Sequence, residues 1–272
     1  MRLNVEDYKE QILKLYREGK SAKEISIILN FKYWQPVYNF FKKYNLIHHE
    51  RKYNRMYTVD ETFFDKIDTE EKAYIFGLIC ADGHVEKDRI VIALQEQDID
   101  ILEKIKSCIH SNQPLHKISK INPYTKTDRK VLYMWELQIN CVKLVKALYK
   151  MGITHDKTYT LDSEIIKNVP KSLVRHFLRG YFDGDGNVFY GTKYNSGVKY
   201  NINICGNKDF LLSTYQEYFP SPNKLYKDKY SKQCYVWKLS SKQNVDNFLI
   251  YLYKDSKIYL DRKYKVFKNV VI

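Results

Sequence analysis

No long apolar run occurs in this sequence. The stretch Ala73 to Ala81 is nine residues long, against the roughly 20 that a membrane-spanning helix needs, so a transmembrane chain is not expected. The opening residues, Met1 to Asp7, contain no apolar core of a secretory leader, and none is expected. Cysteine is scarce and unpaired: five residues, at 80, 108, 141, 205 and 234, with no Cys-x-x-Cys. That spacing offers neither a disulfide framework nor a structural zinc site, and a reducing, cytoplasmic location is the expectation. Acid is in short supply, 32 Asp and Glu against 46 Lys and Arg, for a net charge of +14. The chain is nonetheless rich in core-forming residues, with 272 residues, 44% of them hydrophobic, and 25 Tyr, 13 Phe and 3 Trp, which argues against disorder. A sustained positive excess attracts polyanions, so nucleic acid is the first partner class and an anionic membrane surface the second.

At the front, Val5, Tyr8, Ile12, Leu13, Leu15 and Tyr16 recur at helical spacing until Gly19. Ser21 followed by Glu24 makes a capping box for a second helix, and Pro36 suits the first turn of a third that carries Val37, Phe40 and Phe41. Three short helices over residues 1–47 resemble a helix-turn-helix domain, whose third helix would enter the major groove. Lys32, Gln35, Asn39, Lys42 and Lys43 are the candidate DNA contacts there. Residues 48–68, with Arg51 and Lys52, read as a basic linker lying along phosphates.

The remainder contains an internal repeat. Gly77, Ala81, Asp82, Gly83 and Val85 are matched 103 positions later by Gly180, Gly184, Asp185, Gly186 and Val188. Asp98 then pairs with Asp209, the run Tyr133, Trp135, Leu137 with Tyr235, Trp237, Leu239, and Lys157 with Lys263. Each copy, 69–165 and 166–272, reads helix, strand, strand, helix, strand, strand, helix, an α+β unit. The first motif helix is expected from Thr69 to Cys80 or Ala81, capped by Asp68, and the second from Ser172 to Phe182. Period-two alternation puts Tyr, Trp, Leu and Ile on the inner face of each sheet. Gln138, Lys193, Lys199, Asn201, Asn203, Lys238 and Ser240 fall on or beside the polar face and are candidate DNA contacts.

Small residues four apart, Gly77 with Ala81 and Gly180 with Gly184, allow the two motif helices to approach closely. The same packing would bring Asp82 and Asp185 together, where two carboxylates repel unless a cation shares them. A hard divalent ion, taken by carboxylates, the carbonyls of Ala81 and Gly184, and water, suits that site and can activate water for phosphodiester hydrolysis. His84 follows the first motif, but Asn187 fills the matching place, which argues against a ligand role.

The strings IFGLICADG (Ile75 to Gly83) and LRGYFDGDG (Leu178 to Gly186) resemble the paired motifs of the LAGLIDADG homing endonucleases in their single-chain, two-repeat form. The resemblance implies a pseudo-twofold saddle of two antiparallel sheets lying in the major groove, with the motif helices as the interface. It further implies that Asp82 and Asp185 bind magnesium or manganese, that Lys157 and Lys263 are catalytic lysines, and that Gln95 holds a water network. The counterpart of Gln95 is placed near Gly206, with Asn207 as a substitute. The implied product is a double-strand break with short 3′ overhangs, made by a monomer and serving intron homing. Cys80 stands where the second motif has Asp183, a position expected to affect helix capping only. Two other readings of the same fold are a DNA-binding regulator without catalysis and an intron RNA maturase. An intein is not expected, because the chain ends Val270, Val271, Ile272 without a His-Asn pair.

Overall fold

The computed structural model describes residues 4–18, 20–44, 46, 57–121, 131–154, 157–192, 198–220, 225–228 and 234–271. The chain divides into two compact units, Met1–Met56 and Tyr57–Ile272. Arg51, Lys52 and Lys193, three of the expected DNA contacts, lie outside the described residues.

The first unit holds three short helices, α1 (Lys9–Arg17), α2 (Ala22–Ile28) and α3 (Gln35–Lys43). Ser21 and Glu24 form the expected reciprocal capping box, worth about 1 kcal/mol in such settings. A small core of Ile12, Ala22, Ile25, Val37, Phe40 and Phe41 closes the unit.

In the second unit the chain runs α4 (Glu70–Asp82), β1 (Gly83–Glu86), β2 (Arg89–Gln95), α5 (Ile99–Cys108), β3 (His116–Ile121), β4 (Val131–Asn140), α6 (Val142–Lys150) and a short α7 (Lys157–Thr160). The order is then repeated as α8 (Val174–Asp185), β5 (Gly186–Thr192), β6 (Val198–Gly206), α9 (Lys208–Leu211), β7 (Tyr226–Lys227), β8 (Tyr235–Leu239), α10 (Lys242–Tyr253) and α11 (Asp261–Val271). Both sheets are antiparallel and four-stranded with one topology, β1-β2-β4-β3 and β5-β6-β8-β7, so the duplication read from the motifs is a duplication of fold. One hydrophobic cluster runs through both copies. No helix among the described residues is long and apolar enough to cross a membrane.

Several expected boundaries move. Residues 57–68 are not linker: Phe63, Phe64 and Ile67 are buried in the main core, because an apolar trio before the first motif helix has sheet and helix surface to cover. The cap of α4 is Thr69, whose side chain accepts from the Lys72 amide, while Asp68 accepts instead from Lys72 Nζ at 2.8 Å. A 3-10 turn, Lys171–Leu173, leads into α8, which runs on to Asp185. Tyr133 shares the face of Trp135 and Leu137 as alternation requires but is 55% exposed. Lys117 Nζ lies 5.0 Å from its ring centre.

The registers correct the matching of the two sheets. Gly83 pairs with Ile92 and Ile92 with Leu137, whereas Gly186 pairs with Ile204 and Ile204 with Trp237. Trp237 therefore occupies the rung of Leu137, and both are fully buried. Trp135 occupies the rung of Tyr235, two residue pairs further out, and both are only partly buried. The same ladder makes Asn207, not Gly206, the counterpart of Gln95.

Candidate active site

Helices α4 and α8 meet at their glycines. A side-chain carbon added to Gly77 would overlap the carbonyl oxygen of Phe177, and one added to Gly180 would overlap that of Tyr74. At the next turn Gly184 faces Ala81, and a carbon there would also lie 3.0 Å from Asp82 Oδ2. Asp82 thus rests its carboxylate against the backbone of the opposite helix. Every residue of α4 from Ala73 to Cys80 is buried, because α8 covers one side of the helix and β1 and β2 of its own sheet cover another. The two aspartates sit at the last position of each helix, at the end of this seam.

Both carboxyls are pushed above the usual carboxylate range. Burial is the first cause for each, and the charge of Asp82 adds to it at Asp185, which rises to about 6. Lys157 and Lys263 act in the opposite direction on both, and a hydrogen bond from Tyr181 does so at Asp185. Solvent still reaches both side chains, so they are crowded by protein yet accessible to a ligand. Among the described residues no group of three or more His, Cys, Asp and Glu side chains gathers at one point. Two accessible, mutually repelling carboxylates with main-chain oxygens beside them are the donor set of a hard divalent cation that keeps water in its shell, and the residues fit one.

The expected catalytic lysines are largely engaged elsewhere. Lys263, 1% exposed, donates to the carbonyls of Phe182, Asp183 (2.9 Å) and Gly186 (2.5 Å). Lys157, 8% exposed, donates to the carbonyls of Cys80 (2.9 Å) and Ala81. Each ammonium therefore neutralises the negative end of one motif helix. Burial lowers both pKa values, that of Lys263 to about 8. The Ala81 carbonyl, expected to face a cation, is already shared with Lys157, whereas Lys263 passes over Gly184. The two ends are consequently unlike.

A cavity of about 120 Å³ opens beside Asp185 and is lined by Ala81, Lys157, Tyr181, Gly206 and Asn207 together with Cys80, Cys205 and Cys234. Asn207 borders it but caps α9, accepting from the Asp209 amide at 2.9 Å. Gln95, its counterpart, is exposed and accepts from Gln97 at 3.0 Å. All five cysteines are free thiols.

Sequence reasoning missed the role of Asp183. Fully enclosed behind the seam, it accepts from Tyr74 Oη (2.7 Å), the Leu260 amide (2.8 Å) and Tyr253 Oη, tying α4, α8, α10 and the approach to α11 together. One turn back, Arg179 is fully buried and donates to Glu70 (2.8 Å), Ile258 O (2.9 Å) and Leu252 O (2.8 Å). The signal available in the sequence was the polar pair Arg179 and Asp183 at helical spacing where the first motif has Phe76 and Cys80. Asp183→Ala would strand two hydroxyls and an amide, and a loss of about 3 kcal/mol in urea unfolding is expected. A loss below about 1 kcal/mol would show that the network is dispensable.

The expected groove contacts fall on the faces assigned to them. In β6, Ile202 and Ile204 are buried, and Lys199, Asn201 and Asn203 alternate with them on the other face. Asn203 is paired with Lys238 across the ladder, while Ser240 follows the end of β8. Asn201 Oδ1 is buried with no hydrogen-bond partner among the described residues. On the first sheet Gln138 Nε2 donates to Asn140 Oδ1 at 3.0 Å. In the front unit Lys32, Gln35, Asn39 and Lys42 are exposed. Lys43 is exposed too, but its ammonium pairs with Glu6 at 2.6 Å.

No family model matches the chain. A DNA polymerase of Methanocaldococcus jannaschii is 27% identical over an alignment of 135 residues that covers 43% of this chain and 7% of that protein. The chain therefore spans only a small part of the length of that curated relative. Among solved structures, the LAGLIDADG meganuclease I-AabMI bound to uncleaved DNA aligns with 73% of this chain and 88% of its own, at 15% identity and a TM-score of 0.46. The homing endonuclease I-WcaI bound to its DNA recognition sequence aligns with 73% and 87%, at 12% identity and a TM-score of 0.49. The LAGLIDADG homing endonuclease I-LtrWI bound to target DNA aligns with 74% and 89%, at 14% identity and a TM-score of 0.43.

Proposed function

We propose that this chain is a site-specific double-strand DNA endonuclease that works with a divalent cation, magnesium or manganese, and leaves short 3′ overhangs. The observation that carries the proposal is the meeting of Asp82 and Asp185 at the end of a glycine-packed seam between two sheets that each keep one polar face. Such a face can lie in a major groove and address base edges, with Gln138, Lys199, Asn201, Asn203 and Lys238 as the readers. The helical unit at the front adds a second contact through Lys32, Gln35, Asn39 and Lys42. Because the two copies share one chain, a monomer supplies both carboxylates.

A divalent cation held by Asp82 and Asp185 would supply an activated water and charge neutralisation at the scissile phosphate. The chain's own residues do the rest. Lys263 spends its three donors on carbonyls and fixes the end of α8. Among the described residues Lys157 makes two such bonds, which leaves it able to serve a phosphate or a water in the adjoining cavity. Tyr181, whose hydroxyl donates to the Cys205 carbonyl at 3.0 Å, lines the cavity beside Asp185.

The test is to incubate the protein with a randomised duplex pool and map the ends produced. Cutting at a recurrent sequence in Mg²⁺ or Mn²⁺, with 3′ overhangs and none in EDTA, is expected. Tight selective binding with no cut under any divalent ion would make the chain a regulator instead. Accelerated self-splicing of an intron RNA without DNA cleavage would make it a maturase. Among the readers, Lys199→Ala and Asn203→Ala are expected to change which sequence is selected, whereas loss of a phosphate contact lowers affinity for all sequences alike.

A further inference from the structure

The two ends of the seam differ by one cation that the repeat does not duplicate. Asp98, at the start of α5, is 6% exposed, and its counterion is Arg262, the first-turn neighbour of Lys263 in α11. Arg262 Nε reaches both oxygens of Asp98, at 3.2 and 3.1 Å, and its side chain is 45% exposed. Beside it, Lys104 donates to Asp261 at 2.9 Å, a second tie between the same two helices. Nε is thereby anchored, and among the described residues neither Nη makes a hydrogen bond. The guanidinium fork is held by its stem with its two outer nitrogens presented to solvent. Its charge is felt at Asp82 and is not among the main influences on Asp185. In the first repeat the residue before the matching lysine is Asp156, of opposite sign, and the register that matches Asn207 with Gln95 puts the buried Phe210 where the first copy has Asp98.

We propose that Arg262, oriented by Asp98, binds a backbone phosphate at the Asp82 end of the site, and that the two strands are therefore cut at unequal rates through a nicked duplex. This rests on the endonuclease reading above. A planar guanidinium pre-set by a buried carboxylate matches the paired oxygens of a phosphate without further loss of side-chain freedom. The cavity beside Asp185 offers a phosphate less: its one lining cation among the described residues, Lys157, already donates to the carbonyls of Cys80 and Ala81.

The probe is the duplex that the wild-type protein selects from a randomised pool, with each strand labelled separately. Arg262→Gln is expected to slow one strand about tenfold or more and the other about twofold at most, so that nicked product accumulates. In Ca²⁺, measured as binding alone, the same variant should flatten the log–log salt dependence by about 0.9. Arg262→Lys should restore that slope without restoring the strand rate, since it returns the charge and not the fork. The double variant Asp98→Asn, Arg262→Gln leaves no unpaired buried carboxylate and must show the same strand bias, which separates the effect from lost stability. Equal slowing of both strands, or an unchanged salt slope, overturns the proposal while leaving the endonuclease reading intact. A wild-type protein that binds no duplex overturns both.

Discussion

Asp82→Asn and Asp185→Asn are each expected to reduce cleavage by about a thousandfold or more while leaving duplex affinity in Ca²⁺ within about threefold. They should also raise the stability of the metal-free protein. Asp185 titrates at about 6 in the folded chain, first through burial and then through the charge of Asp82. A carboxyl whose folded pKa is raised keeps its proton where the unfolded chain has already released it. The metal-free fold is therefore favoured in acid, and that advantage is lost as pH rises from about 4 through about 6. Solvent reaches the group, so the cost at neutral pH is discounted to about 1 kcal/mol. Melting curves of metal-free wild type and Asp185→Asn should then diverge between pH 4.5 and 7.5, the variant falling less. Addition of Mg²⁺ at pH 7.5 should recover the wild type and leave the variant unmoved. Parallel curves, unaffected by Mg²⁺, would remove the carboxylate pair from the site.

Gly180→Val is expected to have the largest effect on stability, about 3 kcal/mol or more. The added carbon meets the carbonyl oxygen of Tyr74, its carbon and the Leu78 amide, the last at 2.9 Å. Backbone on one helix cannot rotate out of the way as a side chain can, so α4 and α8 must separate along their length. Overpacking that displaces main chain lies at the costly end of the usual range. The check is urea denaturation of purified protein, with Gly180→Ala as the milder case. A midpoint within error of wild type would mean that the helices do not touch there. Separation would also draw Asp82 away from α8, so any folded fraction should bind the divalent ion more weakly.

What the sequence made legible was local or repeated. The capping box at Ser21 and Glu24 depends on residues three apart, the alternation in β6 on residues two apart, and the small-residue seam on residues four apart. A second copy of the motif turned a weak signal into a firm one. Features that depend on partners far along the chain were not legible. Asp183 reads as a helix-end residue until Tyr74, 109 positions away, and Tyr253, 70 positions away, close on it. Both lysines lie at the ends of the motif helices, where their ammoniums are bound to carbonyls, and whether an ammonium faces water or a helix end is decided by the local backbone and leaves no mark in the string. The tryptophans misled: matching by residue type aligned Trp135 with Trp237, whereas the hydrogen-bond ladder sets them two residue pairs apart. The linker reading of 57–68 failed because a stretch without clear periodicity can still bury Phe63, Phe64 and Ile67.

That displaced rung has a consequence for what is read. The first sheet pairs β2 with β4 from Arg89 to Gln95, and the described ladder of the second pairs β6 with β8 only from Ile202 to Gly206. Two identical subunits would impose a palindrome, since each change on one side would be copied to the other. Two covalently joined copies whose side chains have fallen out of step carry no such obligation. On the endonuclease reading proposed above, the left and right halves of the selected duplex can drift apart one base at a time, each answering to a different set of side chains.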